Sequence, residues 1–268
     1  MPVSTFEWTG THLDLLSSSE SLQAASRDLP EGVYTTFRTY GGRRVLRLSE
    51  HLARLEESAE LRGMPGALDA ARARRTLGAA LDATSHPESR LRLTFCPPRL
   101  LVSVEPFTPL PPARDEEGAA CVSAPIRRDN PRAKDTRFIA TAQAAYASLP
   151  PGVEEALMLD ETGAVLEGLS SNFFAVRDGR LWTEEARVLA GVTRKVVLEL
   201  AMQVLPVERT AVALDPRVSE CFITSVSREV LPVVRIDARP VGEGRPGPVT
   251  RTIAREFQAL VAREAEPP

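Results

Sequence analysis

Residues 89–95 alternate between apolar and polar side chains, as a β-strand with one buried face does. The apolar set and the polar set face opposite ways: Leu91, Leu93 and Phe95 against Arg90, Arg92 and Thr94. Residues 99–105 follow this strand after a short break. We therefore predict that they form the antiparallel partner of the first strand.

A second hairpin is predicted earlier in the chain. Residues 33–40 are rich in Thr, Tyr and Phe, which favour strands, and Gly41-Gly42 suits a tight turn. Residues 43–48 would then be the returning strand.

Two helices are predicted between these hairpins. Ser49 is the expected N-cap of the first, and its buried stripe contains Leu52, Leu55 and Ala59. Asp69 is the expected N-cap of the second, which ends near residue 83.

In the second half of the chain, helices interleave with strands predicted at 120–125, 154–159 and 172–182. Within the last of these, Asp178-Gly179 predicts a type I′ hairpin turn. Hairpins outnumber crossover connections throughout, so the pattern predicts a mixed α/β fold rather than a doubly wound sheet.

Prolines and charged residues are concentrated between the two halves, at 108–118. Such composition is typical of a linker. The sequence predicts a small N-terminal α/β domain at 1–110, a linker at 111–119 and a larger C-terminal α/β domain at 120–268.

The composition is that of an ordinary globular protein, with 43% hydrophobic and 26% charged residues. A net charge of −3 gives no reason to expect a nucleic-acid partner. We expect no membrane partner, because no apolar run could span a bilayer, and no secretory signal is visible. Cys96, Cys121 and Cys221 are far apart and odd in number, so we expect reduced thiols in a cytoplasmic protein. The histidines show no metal-ligand spacing, and no metal is expected.

The candidate chemistry centres on Lys134 and on the stretch at 167–174. That stretch begins with Glu167, continues with small and hydroxyl residues, and enters a strand at Asn172. Further along, 191–194 opens a helix, and a helix N-terminus binds anions readily. A lysine, a carboxylate and an anion site are the groups that pyridoxal phosphate needs.

Several blocks in this sequence resemble the class IV aminotransferases, which are fold-type IV pyridoxal-phosphate enzymes. The blocks follow one another in the family's order, around Lys134 and at 32–38, 50–55, 154–157, 167–174, 191–194 and 245–250. The family includes branched-chain and D-amino-acid aminotransferases and aminodeoxychorismate lyases. The resemblance implies a two-domain α/β fold with its active site at the domain interface, and a homodimer.

The same resemblance implies roles for individual residues. Lys134 would be the catalytic residue, forming the Schiff base with pyridoxal 5'-phosphate and moving the substrate's α-proton. Glu167 would keep the pyridine nitrogen protonated, although an acid here could also be only a turn cap. Arg54 would bind the phosphate through its guanidinium, although it could also be an exposed helix residue. The other implied cofactor contacts are Asn172, Val192, Thr193, Ser225 and Val226.

Two departures from the family's pattern affect these expectations. Arg137-Phe138 stand where many relatives have Asn-Tyr, so the usual tyrosine contact with the cofactor is missing, and Arg137 could replace it. Val226 stands where many relatives have Thr, which removes one phosphate hydroxyl but leaves the backbone N–H groups.

Binding of the substrate carboxylate is assigned to arginines. Arg90 and Arg92 share one strand face where relatives often have Tyr and Arg, so they could bind a carboxylate or be solvated edge charges. Arg38 lies in a family block, and it and Arg137 are further candidates for the substrate pocket.

The predicted function is transfer of an amino group between a small amino acid, branched-chain or similar, and a 2-oxo acid. The alternative is an aminodeoxychorismate lyase, which releases pyruvate in p-aminobenzoate synthesis for folate, and which the short chain and Thr35-Thr36 favour. A non-catalytic phosphate-binding protein would need neither Lys134 nor Glu167.

Overall fold

The computed structural model describes residues 2–268, which form two compact units. The first contains residues 2–108, 133–140 and 261–268, and the second contains 109–132 and 141–260. The predicted domains at 1–110 and 120–268 were continuous segments, and the structure differs from them. An isolated bridge between Val33 and Asp135 ties the Lys134 segment to the first unit, and a strand pair ties the C-terminus to it.

An antiparallel sheet forms the centre of the first unit. The unit contains β1 (Val3–Trp8), β2 (Leu13–Ser19), α1 (Leu22–Arg27), β3 (Val33–Arg38), β4 (Val45–Leu46), α2 (Leu48–Leu61), α3 (Ala70–Thr84), β5 (Ser89–Cys96), β6 (Arg99–Pro106) and the C-terminal β17 (Ala265–Glu266). The sheet order is β2-β1-β6-β5-β3. The predicted pairing of β5 with β6 is confirmed, with Leu93 opposite Val102. Leu91, Leu93 and Phe95 are buried, as their alternation predicted.

Two local predictions in this unit are wrong. The turn predicted at Gly41-Gly42 forms, because Tyr40 and Arg44 bridge across it, but the predicted pairing of 43–48 with β3 does not continue from there. β3 pairs with β5, and β4 pairs with β17. Helix α2 begins at Leu48 after Arg47, a residue with a φ of 53° and no side-chain cap, so Ser49 is not the N-cap. By contrast, the Asp69 cap of α3 is confirmed, because its side chain accepts a hydrogen bond from the Arg72 N–H.

A closed ring of strands forms the centre of the second unit. The strands of this unit are β7 (Ala119–Ala124), β8 (Val153–Leu159), β9 (Ala164–Gly168), β10 (Asn172–Arg177), β11 (Arg180–Trp182), β12 (Val207–Glu208), β13 (Val212–Ala213), β14 (Val218–Ser225), β15 (Glu229–Ile236) and β16 (Arg239–Pro240). The order β10-β14-β15-β7-β8-β9 closes because Asn172 of β10 pairs with Glu167 of β9. The predicted β10–β11 hairpin is confirmed, and Asp178 and Gly179 both have the positive φ of a type I′ turn.

Helices pack around this ring. They are α4 (Ala113–Glu117), α6 (Val192–Ala201) and most of α5 (Arg137–Ala147) and α7 (Pro248–Glu264). The predicted linker at 111–119 contains α4. Cys96, Cys121 and Cys221 are buried, and none forms a disulfide. Within residues 2–268, no helix is long and apolar enough to cross a bilayer.

Candidate active site

Lys134 belongs to the first unit, where hydrogen bonds hold its backbone in place. Its N–H donates to the Ser58 Oγ (3.2 Å), and its carbonyl accepts from the Tyr34 N–H (2.9 Å). The next residue, Asp135, bridges to Val33. The half-buried side chain extends so that Nζ lies 4.9 Å from the centroid of the Tyr34 ring. The backbone of Lys134 is thereby fixed, and its amine lies against an aromatic face.

Arg54 lies on the buried face of α2 and has no acidic partner. Its Nη2 donates to the Thr35 Oγ1 (2.7 Å), its Nε is buried without a hydrogen-bond partner, and the side chain is 8% exposed. No carboxylate within residues 2–268 lies at ion-pair distance from it. Burial lowers the pKa of Arg54 to about 10. The interpretation of Arg54 as an exposed helix residue is therefore wrong. Glu57 acts on its guanidinium through space, but no carboxylate within residues 2–268 forms an ion pair with it.

The candidate substrate arginines share the face of the sheet to which Tyr34 contributes. Arg92 is buried, its Nη1 donates to the Leu22 carbonyl (2.9 Å), and its guanidinium lies 4.8 Å from the Tyr34 ring centroid. Arg90 pairs with Glu105. Because β5 lies between β6 and β3, neither arginine is on an edge strand, and their interpretation as solvated edge charges does not hold.

The remaining two arginines differ in their surroundings. Arg38 is buried, with its guanidinium 4.2 Å from the Tyr40 ring centroid and 5.2 Å from that of Phe107. Arg137 folds back onto Asp135, to which its Nε and Nη2 donate at 3.0 and 2.9 Å, and it is half exposed. Its guanidinium is therefore already held by a carboxylate.

Glu167 lies at the end of β9 in the second unit and is 2% exposed. Its Oε2 accepts hydrogen bonds from the Asn172 Nδ2 and from the Leu189 N–H, each at 3.1 Å. Its Oε1 lies 3.6 Å from the Nε of Arg128, a residue that the sequence did not indicate. These donors keep the carboxylate oriented, which a mere turn cap would not require. Glu167 also lines a cavity of about 460 Å³ with Met158 and Leu166.

The N-terminus of α6 lies beside Asn172 and has no side-chain cap. A Cβ built at Gly191, the N-cap, would lie 2.2 Å from the Asn172 Oδ1, so only glycine allows this approach. Val192 and Thr193 are the first helical residues, and their N–H groups have no partner within the helix. Together they form a backbone site suited to an anion.

The turn that carries Ser225 and Val226 follows β14. Thr224 pairs with Asn172 across the sheet, and the Thr224 Oγ1 is buried without a hydrogen-bond partner. The Ser225 Oγ accepts from the Arg228 N–H (3.2 Å). The sequence did not indicate Thr224, because its position opposite Asn172 follows only from the register of β10 and β14.

A buried network supports both loops of the second unit, and the sequence did not predict it. Glu155 is fully buried, and its carboxylate accepts from the Tyr146 hydroxyl (2.6 Å), the Ser171 hydroxyl (2.9 Å) and the Arg228 Nη1 (3.0 Å). Ser171 belongs to the loop after Glu167, and Arg228 belongs to the turn after β14. One carboxylate therefore ties both loops to β8.

Comparison with known proteins identifies the family. The model of the amino-transferase class IV family matches residues 32–236, so this chain belongs to that family, and the resemblance stated above is confirmed. The branched-chain aminotransferase from the thermophilic archaeon Thermoproteus uzoniensis, solved with norvaline, has the same fold with a TM-score of 0.79 at 24% identity, covering 97% of this chain and 96% of that one. The predicted mixed α/β, fold-type IV architecture is confirmed.

Individual relatives differ in how much they share with the chain. The D-alanine aminotransferase of Bacillus licheniformis is 28% identical over 87% of this chain and 89% of its own length. The branched-chain-amino-acid aminotransferase-like protein 2 of Arabidopsis thaliana is 29% identical over 86% of this chain but only 45% of its own length. The match to the branched-chain-amino-acid aminotransferase of Pseudomonas aeruginosa, 34% identical over 48% of this chain, covers 43% of that protein. The chain thus spans about half the length of several branched-chain relatives.

The residues present fit the cofactor of the family, pyridoxal 5'-phosphate, whose amino form occupies a solved branched-chain aminotransferase of the same fold. Arg54 carries a buried charge with no ion-pair partner within residues 2–268 and an Nε without a hydrogen-bond partner there, which suits a phosphate oxygen. The uncapped start of α6 offers the backbone N–H groups of Val192 and Thr193 to the same kind of group. Lys134 supplies an amine, and Glu167 supplies a fixed acceptor.

Proposed function

We propose that this protein is a pyridoxal-phosphate-dependent aminotransferase. It moves an amino group between a small amino acid, branched-chain or similar, and a 2-oxo acid. The observation that carries the proposal is the placement of Lys134 in a chain of this family: hydrogen bonds with Ser58 and Tyr34 hold its backbone, and its Nζ lies against the Tyr34 ring. A protein that only bound phosphate would have no use for this amine.

The cofactor's binding is divided among several residues. We assign the phosphate to the guanidinium of Arg54, the N–H groups of Val192 and Thr193, and the turn at Ser225 and Val226. The cofactor, when bound, supplies the electron sink for the substrate's carbanion. The carboxylate of Glu167 holds a proton on the pyridine nitrogen, and Asn172 keeps that carboxylate oriented.

Lys134 provides both the covalent attachment and the proton transfer. Its amine would hold the cofactor covalently through the cofactor's aldehyde, and its Nζ would carry the α-proton of the substrate. We assign the substrate carboxylate to Arg92, with Arg90 and Arg38 as neighbours on the same face. Arg137 is a weaker candidate, because Asp135 already holds its guanidinium.

Aminodeoxychorismate lyase activity is the second candidate. Thr35-Thr36 precede Arg38 where the familiar branched-chain enzymes have Glu-Gly, and this feature favours the lyase. Both activities use the same lysine and cofactor, so only the products distinguish them. A screen of L- and D-amino donors against several 2-oxo acids, beside a pyruvate-release assay on aminodeoxychorismate, decides between them.

The assignment of Lys134 has a direct chemical test. The purified protein should be yellow, and borohydride reduction followed by peptide mapping should place the cofactor on Lys134. A reduced adduct on another lysine, or no adduct, would overturn the assignment. Glu167→Gln should retain the cofactor but slow proton abstraction severely, and unchanged turnover would reduce Glu167 to a structural residue.

We also propose a cytoplasmic homodimer. Three buried, unpaired thiols favour a reducing compartment, and the family resemblance favours the dimer. Light scattering on the eluting protein measures its mass, and a value near 29.2 kDa would indicate a monomer instead.

A further inference from the structure

Thr35 lies between two side chains of α2. Its Oγ1 is 2.7 Å from the Arg54 Nη2 and 2.9 Å from the His51 Nδ1. All three side chains are buried, with Thr35 at 0%, His51 at 2% and Arg54 at 8% exposure. A strand residue thus links two residues one helical turn apart, away from bulk water.

The chemistry of these groups decides which way each hydrogen bond runs. A guanidinium can only donate, so the Thr35 oxygen accepts from Arg54. The Thr35 hydroxyl proton is fully buried, and the His51 Nδ1 is the one acceptor in hydrogen-bond reach of it within residues 2–268, so Thr35 donates to His51. His51 can accept at Nδ1 only as a neutral ring. Burial is the main cause that lowers the pKa of His51 well below its usual range, and the nearby charges of Arg54 and Lys134 lower it further. We call this chain of hydrogen bonds the relay. In it Arg54 donates to Thr35, Thr35 donates to the His51 Nδ1, and the ring proton of His51 is on Nε2.

This relay fixes the guanidinium without neutralising it. A buried arginine usually has a carboxylate partner, but Arg54 has none at ion-pair distance within residues 2–268. A carboxylate at position 35 would compensate the charge before any ligand arrived, whereas a hydroxyl orients the side chain and leaves the charge for an incoming anion. The Arg54 carbonyl also accepts from the Ser58 hydroxyl (2.7 Å), which stiffens the same turn of α2.

We propose that Thr35 and His51 are positioning residues that hold Arg54 for the phosphate of the cofactor, acting through an uncharged hydrogen-bond relay. This inference rests on the proposed function, because the phosphate is that of pyridoxal 5'-phosphate. Neither residue needs to touch the cofactor. The relay predicts that disturbing Thr35 affects recognition of the phosphate and leaves recognition of the pyridine ring unchanged.

The test compares two ligands that differ only in the phosphate. The full-length apo-protein is titrated with pyridoxal 5'-phosphate and with pyridoxal, and absorbance reports binding. For Thr35→Val, which keeps the shape and removes the hydroxyl, we expect the Kd for pyridoxal 5'-phosphate to rise about tenfold, as expected for loss of part of a charge-assisted hydrogen bond. The Kd for pyridoxal should stay unchanged. Thr35→Ser restores the hydroxyl and should restore the affinity.

Thr5→Val provides the matched control. Thr5 is equally buried in the same sheet, and its hydroxyl bonds to the Ser103 hydroxyl at 2.8 Å. This variant loses a buried hydroxyl without touching Arg54, so its affinity for both ligands should equal that of the wild type. His51→Leu and His51→Asn form a second pair that does not depend on Thr35→Val folding. Leucine removes the acceptor and should weaken phosphate recognition, whereas asparagine restores an acceptor near Nδ1 and should recover it.

A third readout does not involve the cofactor's aldehyde. Inorganic phosphate should raise the melting temperature of the apo-protein, and Thr35→Val should reduce that shift. If the wild type fails to bind pyridoxal 5'-phosphate through Lys134 but the phosphate shift depends on Thr35, the proposed function fails and the relay stands. Equal affinity of Thr35→Val and wild type for pyridoxal 5'-phosphate would overturn the relay. Equal weakening for pyridoxal and its phosphate would also overturn it.

Discussion

Gly191→Ala should displace Asn172, the residue that orients Glu167. The added Cβ would lie 2.2 Å from the Asn172 Oδ1, which is far inside van der Waals contact. Gly191 itself has a φ of −67°, a conformation that alanine adopts freely. The backbone therefore adds no strain. The main effect comes from the collision with Asn172, because the other tight contact of the added Cβ, with the Arg194 Cβ at 3.3 Å, is much milder.

The expected cost follows from the hydrogen bonds that Asn172 would lose. Its Nδ2 donates to the charged Glu167 Oε2 at 3.1 Å and to the Leu189 carbonyl at 2.9 Å. The first is worth about 1.5–3 kcal/mol and the second about 1 kcal/mol. Replacing glycine by alanine stabilises the fold by about 0.4–1 kcal/mol, because it lowers the conformational entropy of the unfolded chain. The net loss in the free energy of unfolding should be about 1.5–3.5 kcal/mol.

Urea unfolding of a double-mutant cycle with Asn172→Ala tests this reasoning. The chain has two tryptophans, Trp8 in the first unit and Trp182 in the second, so a Trp8→Phe background makes fluorescence report the second unit. With the Asn172 side chain removed, most of the loss caused by Gly191→Ala should disappear, and only the milder contact with the Arg194 Cβ should remain. An equal loss in both backgrounds would refute the steric argument, because the two sites would then be independent.

The remaining predictions concern one buried pair, one pH dependence and one substrate contact. Glu155→Gln should lower the free energy of unfolding by about 3 kcal/mol, because Arg228 loses a fully buried counter-charge. Glu154→Gln removes a carboxylate that shares Arg228 but is itself 30% exposed, so it should cost less than about 1 kcal/mol in the same urea titration. The pKa of His51 is lowered by burial and by Arg54 and Lys134, so the unfolded chain binds a proton that the folded one does not. As the pH falls below about 6.5, the free energy of unfolding should therefore decrease, by up to about 1.4 kcal/mol per pH unit. His51→Asn should make this dependence weaker, because the variant lacks the group that titrates. Arg92→Ala should raise KM for the amino acid while cofactor affinity stays nearly constant, and a wild-type KM would remove Arg92 from the substrate site.

Local signals in the sequence determined those parts of the fold in which neighbouring residues interact. The alternation at 89–95, the Asp69 cap and the Asp178-Gly179 turn each involve contacts within a few residues, and the structure has all three. The family blocks likewise identified the family correctly, because they are continuous stretches of sequence. The roles of Lys134, Arg54 and Glu167 remain predictions from those blocks.

Only the tertiary structure decided which distant segments meet. The β3 strand pairs with β5 rather than with the stretch that follows it, and Ser58 bonds to Lys134 across 76 positions. The carboxylate of Glu155 reaches Arg228 across 73 positions, and Thr35 joins a strand to two residues of α2. A short window of sequence has no information about such pairs, because each depends on strand register and helix packing over the whole unit. The buried charge of Arg54 is the clearest case, since its exposure and its lack of a carboxylate partner are set by every element packed around it.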